Sequence, residues 1–359
     1  MLRDFILSHG YQQHPFDPCL YYDKNVGAMQ TMIAIQVDDI LFSGPDGKRM
    51  QLAVATRFKC TTSDGLEQFM GATFDFSDDG SSVHIHQTKQ ITRIVDRFRK
   101  LVNEKWRPKT PMNHAADRLH AGMSPAEPNN QLTCLYAELG CSMGYMCSST
   151  SPQMCFGFKE VSRFMANPGE KHFDALMQLF HYAIEHGHTG LIYKAWVSKY
   201  KLTVMHDADF NGELDKRLST SGVLIFLNDN LWDWACTSQK ATARSTVESE
   251  YLCMAFAAFM VLKAYNLLVH IVGEDEIETP ITFFCDNQGA ICEATLEHGC
   301  HTRHTAHIDW NYHFFRQYIA SGFFHAQYVP THLNLSDFMT KALAPDLFER
   351  LTMAAMHNV

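Results

Sequence analysis

The chain has 359 residues, enough for two or three domains at roughly 100–200 residues each. It is 46% hydrophobic and 19% charged, with 20 Gly and 12 Pro, which excludes collagen-like, coiled-coil and wholly disordered chains. Lys plus Arg total 30 against 39 Asp plus Glu, a net charge of −9; an acidic chain does not hold phosphate backbones by bulk charge, so a nucleic-acid role has to rest on local patches or metal ions. Eleven scattered cysteines without a CxxC pair read as reduced, intracellular thiols. The start, MLRDFILSHG, is too short and polar for a signal peptide. Residues 251–273 are the longest apolar stretch, broken by Lys263, Asn266 and His270. We read them as a buried amphipathic helix of a soluble protein, with no membrane partner.

In chain order, TMIAIQVDDILFS (31–43) reads as a hairpin with Asp38 and Asp39 at its turn. KRMQLAVATRFKC reads as a helix, and QFMGATFDFS with SVHIHQT as a strand pair joined at Asp78-Asp79-Gly80. TKQITRIVDRFRKLV is a helix, and the segment from Trp106 to Asn130, with four prolines, is a linker. Residues 131–190 read as several helices, among them KEVSRFMANPGEKHFDALMQLFHYAIEHG. From Lys201 the pattern is strand (KLTVMHDADF), strand (STSGVLIFL), strand (LWDWACTSQ), a long helix starting near Ser245, strand (ITFFCDNQG), a helix ending at Gly322, strand (FFHAQYVPT) and a short helix (LSDFMTKAL). This order, βββαβαβα, predicts an α/β (α+β) unit with a mixed five-stranded sheet and flanking helices.

Acids mark this last unit. Asp207 falls at the end of its first strand and Asp286 at the end of its fourth; Glu250 sits one turn into the long helix and Asp337 starts the last short one. Carboxylates at buried strand ends are costly to desolvate unless cations compensate them. Four of them can hold two Mg²⁺ ions, with Mn²⁺ as a substitute, around a phosphodiester. Any one alone reads equally as a cap or a strand terminator, so the metal reading rests on all four.

The segments HDADFNGELDKRLSTSGVLIFL, STVESEYLCMAFAA, FFCDNQGAI, HTRHTAHIDWNYHFFRQ and YVPTHLNLSDFMTKAL, in this order, resemble the RNase H domain of copia-type LTR retrotransposon Pol polyproteins. Upstream, IQVDDILFSG, FMGATFDFSDDGSSVHIHQTKQI, KTPMN and SRFMANPGEKHFDALMQLFHY resemble the later reverse transcriptase and connecting region of the same polyprotein. The resemblance implies three parts: a partial, late reverse-transcriptase palm at 1–112, a helical thumb or connection at 113–200, and an RNase H-like domain at 201–359. It puts Asp207, Glu250, Asp286 and Asp337 in the four catalytic, metal-binding positions, with His332 as an auxiliary residue and Asp209 and Glu248 as solvated or supporting neighbours. It further implies Mg²⁺-dependent hydrolysis of the RNA strand of an RNA–DNA hybrid, read through 2′-hydroxyls in a shallow minor groove. Lys240, Arg244, Arg303 and Arg316 are the candidate backbone contacts.

The polymerase half departs from the pattern. Asp38 and Asp39 match the paired aspartates and Val37 fits, but Gln36 stands at the tyrosine position and no third carboxylate precedes them in a suitable context. These two acids are therefore expected to be vestigial, with no independent DNA synthesis; a complete reverse transcriptase in trans is a possible partner. A zinc site at Cys300, His301, His304 and His307 is disfavoured, because i, i+3, i+6 spacing spreads round a helix. Trp232, Trp234 and Trp310 are expected in cores and not as stacking platforms. The alternative function is a catalytically silent retroelement remnant that at most binds nucleic acid or a protein; Gln36 and Ala306, the latter at a commonly basic position, are signs of drift.

Overall fold

A computed structural model describes residues 1–25, 30–113, 118–196, 198–296 and 313–357. Arg303, the Cys300/His301/His304/His307 group, Ala306 and Trp310 lie outside the described residues.

The first layer is α1 (Leu2–Ser8) with β1 (Gln12–Gln13), β2 (Leu20–Tyr22), β3 (Met32–Gln36) and β4 (Asp39–Ser43), followed by α2 (Gly47–Arg57). The four strands pair antiparallel in sequence order around a small core of Ile6, Tyr11, Tyr21, Ile33 and Met50. The expected hairpin forms with Gln36 opposite Asp39, and Val37 takes a positive φ of 53° to close the two-residue turn.

A second sheet joins β5 (Gln68–Phe69), β6 (Ala72–Phe76) and β7 (Ser82–His86). In the β6–β7 turn the Asp79 carboxylate accepts from the Ser81 N–H and from the hydroxyls of Ser77 and Ser81, which pulls its pKa down to about 2. Then come α3 (Thr88–Arg97), α4 (Asn130–Ser149), α5 (Cys155–Ser162) and α6 (Glu170–His186). Asn129 caps α4 by accepting from the N–H groups of Gln131 and Leu132. The helix read through 159–187 is broken at Asn167-Pro168-Gly169. There Gly169 packs so closely on Met123 that a Cβ would stand 1.9 Å from its carbonyl oxygen.

A strand not anticipated in the sequence, β8 (Leu191–Lys194), returns to pair antiparallel with β7. Four residues give too short a pattern to read, and the pairing partner lies far upstream. Gly190 sits at φ 58°, where a Cβ would meet the Ile85 carbonyl.

The third sheet holds β9 (Tyr200–Asp209), β10 (Thr220–Leu227), β11 (Asn230–Ser238), β12 (Ile277–Cys285) and β13 (Phe324–Tyr328), in the order β11-β10-β9-β12-β13. β9, β10 and β11 run antiparallel; β12 runs parallel to β9, and β13 parallel to β12. The mixed five-stranded α/β sheet expected from the sequence is therefore present. Its helices are α7 (Thr246–Val272), α8 (Gln288–Ala294), α9 (Arg316–Ala320) and α10 (Pro345–His357), with a 3-10 helix at Leu335–Met339. α8 and α10 were not anticipated.

β10 is buried along almost its whole length because both faces are covered. Val223 and Ile225 pack toward α7, while Leu224 and Phe226 join a core built from α3, α4, α5, α6 and α10. Each such side chain contributes roughly 1.5–3 kcal/mol on burial. α7 is long and apolar enough to cross a membrane by length and composition. It lies instead along β9 and β10, with Tyr251, Cys253, Ala257, Ala258 and Val261 buried against them. The helical segment and the last sheet are also joined by a buried ionic network. Lys159 Nζ contacts Glu160 Oε1 at 2.8 Å and Glu213 Oε1 at 3.2 Å, and Arg163 pairs with Glu160 and Asp215. This network fixes the 210–219 loop that follows β9.

Candidate metal centre

The parallel register of β12 on β9 builds the site. Phe284 lies opposite Met205, so two residues further Asp286 comes level with Asp207, at the carboxyl ends of two neighbouring parallel strands. Such strand ends are where open α/β sheets present their functional groups. Asp337 arrives from the opposite layer, in the 3-10 helix Leu335–Met339. That helix is pinned to the sheet by Asn334, whose side-chain amide donates to the His206 carbonyl at 2.9 Å. The Asn334 Oδ1 accepts from the N–H and hydroxyl of Ser336. Close approach requires Gly222, the β10 partner of Asp207. A Cβ there would stand 2.6 Å from Met339 Cβ and 2.7 Å from Thr340 Cγ2.

These three elements bring one carboxylate oxygen each from Asp207, Asp286 and Asp337 within 4.8 Å of one another. Asp207 and Asp337 are buried and Asp286 is half-buried. Burial, and then the Asp207 charge, push the Asp337 carboxyl up to about 7. Asp337 is the third residue of its helix and not the first, as the sequence suggested.

Glu250 is the fourth acid and does not share that cluster. It enters from the first turn of α7, with Oε1 accepting from the Ala208 N–H at 3.0 Å. Its Oε2 lies 3.6 Å from His206 Nδ1. Burial first, then Asp207 and Asp286, push its pKa well above the carboxylate range, so it senses two of the aspartates without touching them.

Lys341 is the functional residue that the sequence reading missed. Its ammonium lies 3.0 Å from Asp337 Oδ1 and 3.5 Å from Asp207 Oδ2. Burial alone would lower its pKa, but the charges of Asp207 and Asp337 raise it well above the ordinary lysine value. The Thr340 hydroxyl donates to Asp207 Oδ2. The only signal available was the i, i+4 spacing of Asp337 and Lys341, which also describes an ordinary surface pair.

Arg316, expected at the surface, is 2% exposed; it pairs with Glu293 at 3.5 Å and lies over the Tyr251 ring, so its guanidinium is engaged within the fold. Glu248 is buried, not solvated, and its carboxylate accepts from the Arg244 N–H. Asp209 is half-buried, and burial raises its pKa. Lys240 and Arg244 are exposed in the segment leading into α7. His332 is exposed on a short 3-10 turn, where its carbonyl accepts from Arg350. Trp232 and Trp234 pack on the two cores of the last sheet, and Trp234 Nε1 donates to the Cys147 carbonyl. Asp38 and Asp39 are exposed on their hairpin, and among the described residues they belong to no group of three potential ligands.

The aspartate cluster fits a hard divalent cation. It offers only oxygen donors, converging from three elements, with a lysine ammonium in the position of a counter-ion.

No family model matches the chain. The Pol polyprotein from transposon RE2 of Arabidopsis thaliana is 26% identical over 357 residues, 98% of this chain and 23% of the polyprotein. The Pol polyprotein from transposon TNT 1-94 of Nicotiana tabacum is 27% identical over 362 residues, 99% of this chain and 26% of its own length. The chain spans about a quarter of the length of these curated relatives. A solved RNase H domain from Mycobacterium tuberculosis, fused to maltose-binding protein, aligns with 44% of this chain and 99% of its own at 12% identity. Its TM-score of 0.26 carries no weight, and the architecture rests on the strand order above. Over nearly its whole length, the chain is similar to the Pol polyproteins of copia-type retrotransposons.

Proposed function

We propose that the unit formed by β9–β13 and their helices is an RNase H-like, metal-dependent nuclease that hydrolyses the RNA strand of RNA–DNA hybrids. The observation that carries this reading is the convergence of Asp207, Asp286 and Asp337 from two parallel strand ends and a 3-10 helix. Two Mg²⁺ ions, or Mn²⁺ in their place, would supply Lewis acidity at the phosphorus and lower the pKa of water. Asp207 and Asp286 hold the position between the strand ends, and Asp337 closes it from the opposite layer. Thr340 fixes the Asp207 carboxylate, and Gly222 lets the 3-10 helix approach. Lys341 offsets the negative charge of Asp207 and Asp337, and a divalent cation bound there would compete with its ammonium for the same carboxylates. Lys240 and Arg244 are exposed before α7, and their charges would contact the phosphate backbone of the hybrid.

The Asp38-Asp39 hairpin lacks a third carboxylate among the described residues, and we assign it no DNA synthesis; a complete reverse transcriptase acting in trans would have to supply that step. The second reading is a silent remnant that binds nucleic acid or a protein. It is favoured by the placement of Glu250 Oε2 at 3.6 Å from His206 Nδ1, outside the group formed by the three aspartates. Incubation of labelled RNA–DNA hybrid, RNA duplex and DNA duplex with the full chain in Mg²⁺ separates the two. Cleavage confined to the RNA of the hybrid, and lost in Asp286→Asn, is the expected result. A folded protein that cuts none of them leaves the remnant reading.

A further inference from the structure

Behind the aspartate cluster lies a second group of ligand-bearing side chains. One ligand atom each from His206, Glu250 and Cys285 lies within 4.8 Å of the other two. His206 and Cys285 are fully buried and Glu250 nearly so. Neither ring nitrogen of His206 has a hydrogen-bond partner, and neither has Glu250 Oε2. The Cys285 thiol accepts from the Asn287 N–H at 3.4 Å and donates to the Asn287 carbonyl at 3.7 Å. Buried polar groups left unpaired cost about 1–3 kcal/mol each. Two unpaired side chains, His206 and Glu250, gathered with a buried thiol mark a place where something with several bonds to offer is accommodated.

We propose that His206, Cys285 and Glu250 form a buried site for a thiophilic divalent cation such as Zn²⁺. A thiolate, an imidazole and a carboxylate suit a borderline-soft ion, whereas the all-oxygen cluster of Asp207, Asp286 and Asp337 suits a hard one. Ligand atoms of a tetrahedral zinc site stand roughly 3.3–3.8 Å apart, and His206 Nδ1 and Glu250 Oε2 already lie 3.6 Å apart. On binding, a metal–sulfur bond forms as the Cys285 S–H bond breaks, and the proton leaves to solvent. The site shares no residue with the Asp207, Asp286 and Asp337 cluster, so it does not rest on the nuclease reading.

Titration of the full chain with Co²⁺ tests the site directly. The expected result is a thiolate-to-cobalt charge-transfer band with tetrahedral visible bands. The band is lost in Cys285→Ser, at least about tenfold weaker in affinity in His206→Asn, and unchanged in Asp286→Asn. X-ray absorption at the zinc edge of the Zn²⁺-loaded parent needs no variant, and is expected to count one sulfur among nitrogen and oxygen ligands. No sulfur in that shell, several sulfurs, or a cobalt band that survives in Cys285→Ser and so belongs to exposed thiols such as Cys19, Cys60, Cys134, Cys141 or Cys292, would each overturn the proposal.

Discussion

Lys341 offers the sharpest perturbation of the aspartate centre, because its ammonium is the cation in contact with both Asp207 and Asp337. Lys341→Met keeps the length and apolar stem of the side chain and removes the charge. Breaking a fully buried ion pair costs about 3–5 kcal/mol. The Lys341 side chain is 36% exposed, and solvent screening brings the expected loss to about 2 kcal/mol. At about 2.1 cal/mol/K per residue, a cooperative 359-residue chain would lose about 3 °C in Tm. The assay is thermal unfolding at about pH 8, in EDTA and again in Mg²⁺. In EDTA the variant should melt below the parent. In Mg²⁺ it should gain more than the parent does, because the cation no longer competes with an ammonium for the same carboxylates. Equal Tm values in EDTA, or equal gains in Mg²⁺, would refute the assignment of Lys341 as a counter-ion at a metal centre.

Three further outcomes follow from the same geometry. The folded-state pKa of Asp337 is raised from 3.8 to about 7, so between those values the native state holds a proton that the unfolded state has released. Stability in EDTA should therefore fall by about 4 kcal/mol as pH rises from about 4 to about 7. Asp337→Asn should flatten that slope in denaturant titrations, and an unchanged slope would contradict it. Gly222→Ala should cost about 1–3 kcal/mol by forcing Met339 and Thr340 away from the sheet. It should also weaken Mn²⁺ binding, measured by calorimetry, and a variant that binds Mn²⁺ like the parent would show that this close approach does not set the site. Glu213→Gln, inside the Lys159–Glu160–Arg163 network, should lower stability by about 3 kcal/mol, read from denaturant midpoints; a change below about 0.5 kcal/mol would place the network outside the folding energetics.

The legible part of the molecule was the part whose signals are local. β10 announces itself as a continuous apolar run because both of its faces are covered. Asp207 and Asp286 stood out as acids at the ends of such runs. Ser245 marked the start of α7, where its hydroxyl accepts from the Glu248 N–H. What was not legible depends on contacts far apart in the chain. β8 exists as a strand only because β7 is there to pair with it. Arg316 looks like any surface arginine until Glu293 and the Tyr251 ring enclose it. Lys341 and His206 acquire roles only when the 3-10 helix and α7 are laid against β9. The strand read as ITFFCDNQG stops at Cys285, because the Asn287 side chain turns to cap α8 by accepting from the Ala290 N–H.

The most direct test is a count of bound Mn²⁺ by electron paramagnetic resonance, with the full chain and Asp207→Asn and Asp286→Asn in parallel. Two Mn²⁺ ions per chain, displaced by excess Mg²⁺ and reduced in both variants while the fold is retained, are expected of a centre built from Asp207, Asp286 and Asp337. Binding that is absent in the parent, or that persists undiminished in both variants, would mean that these acids meet in space without forming a metal centre.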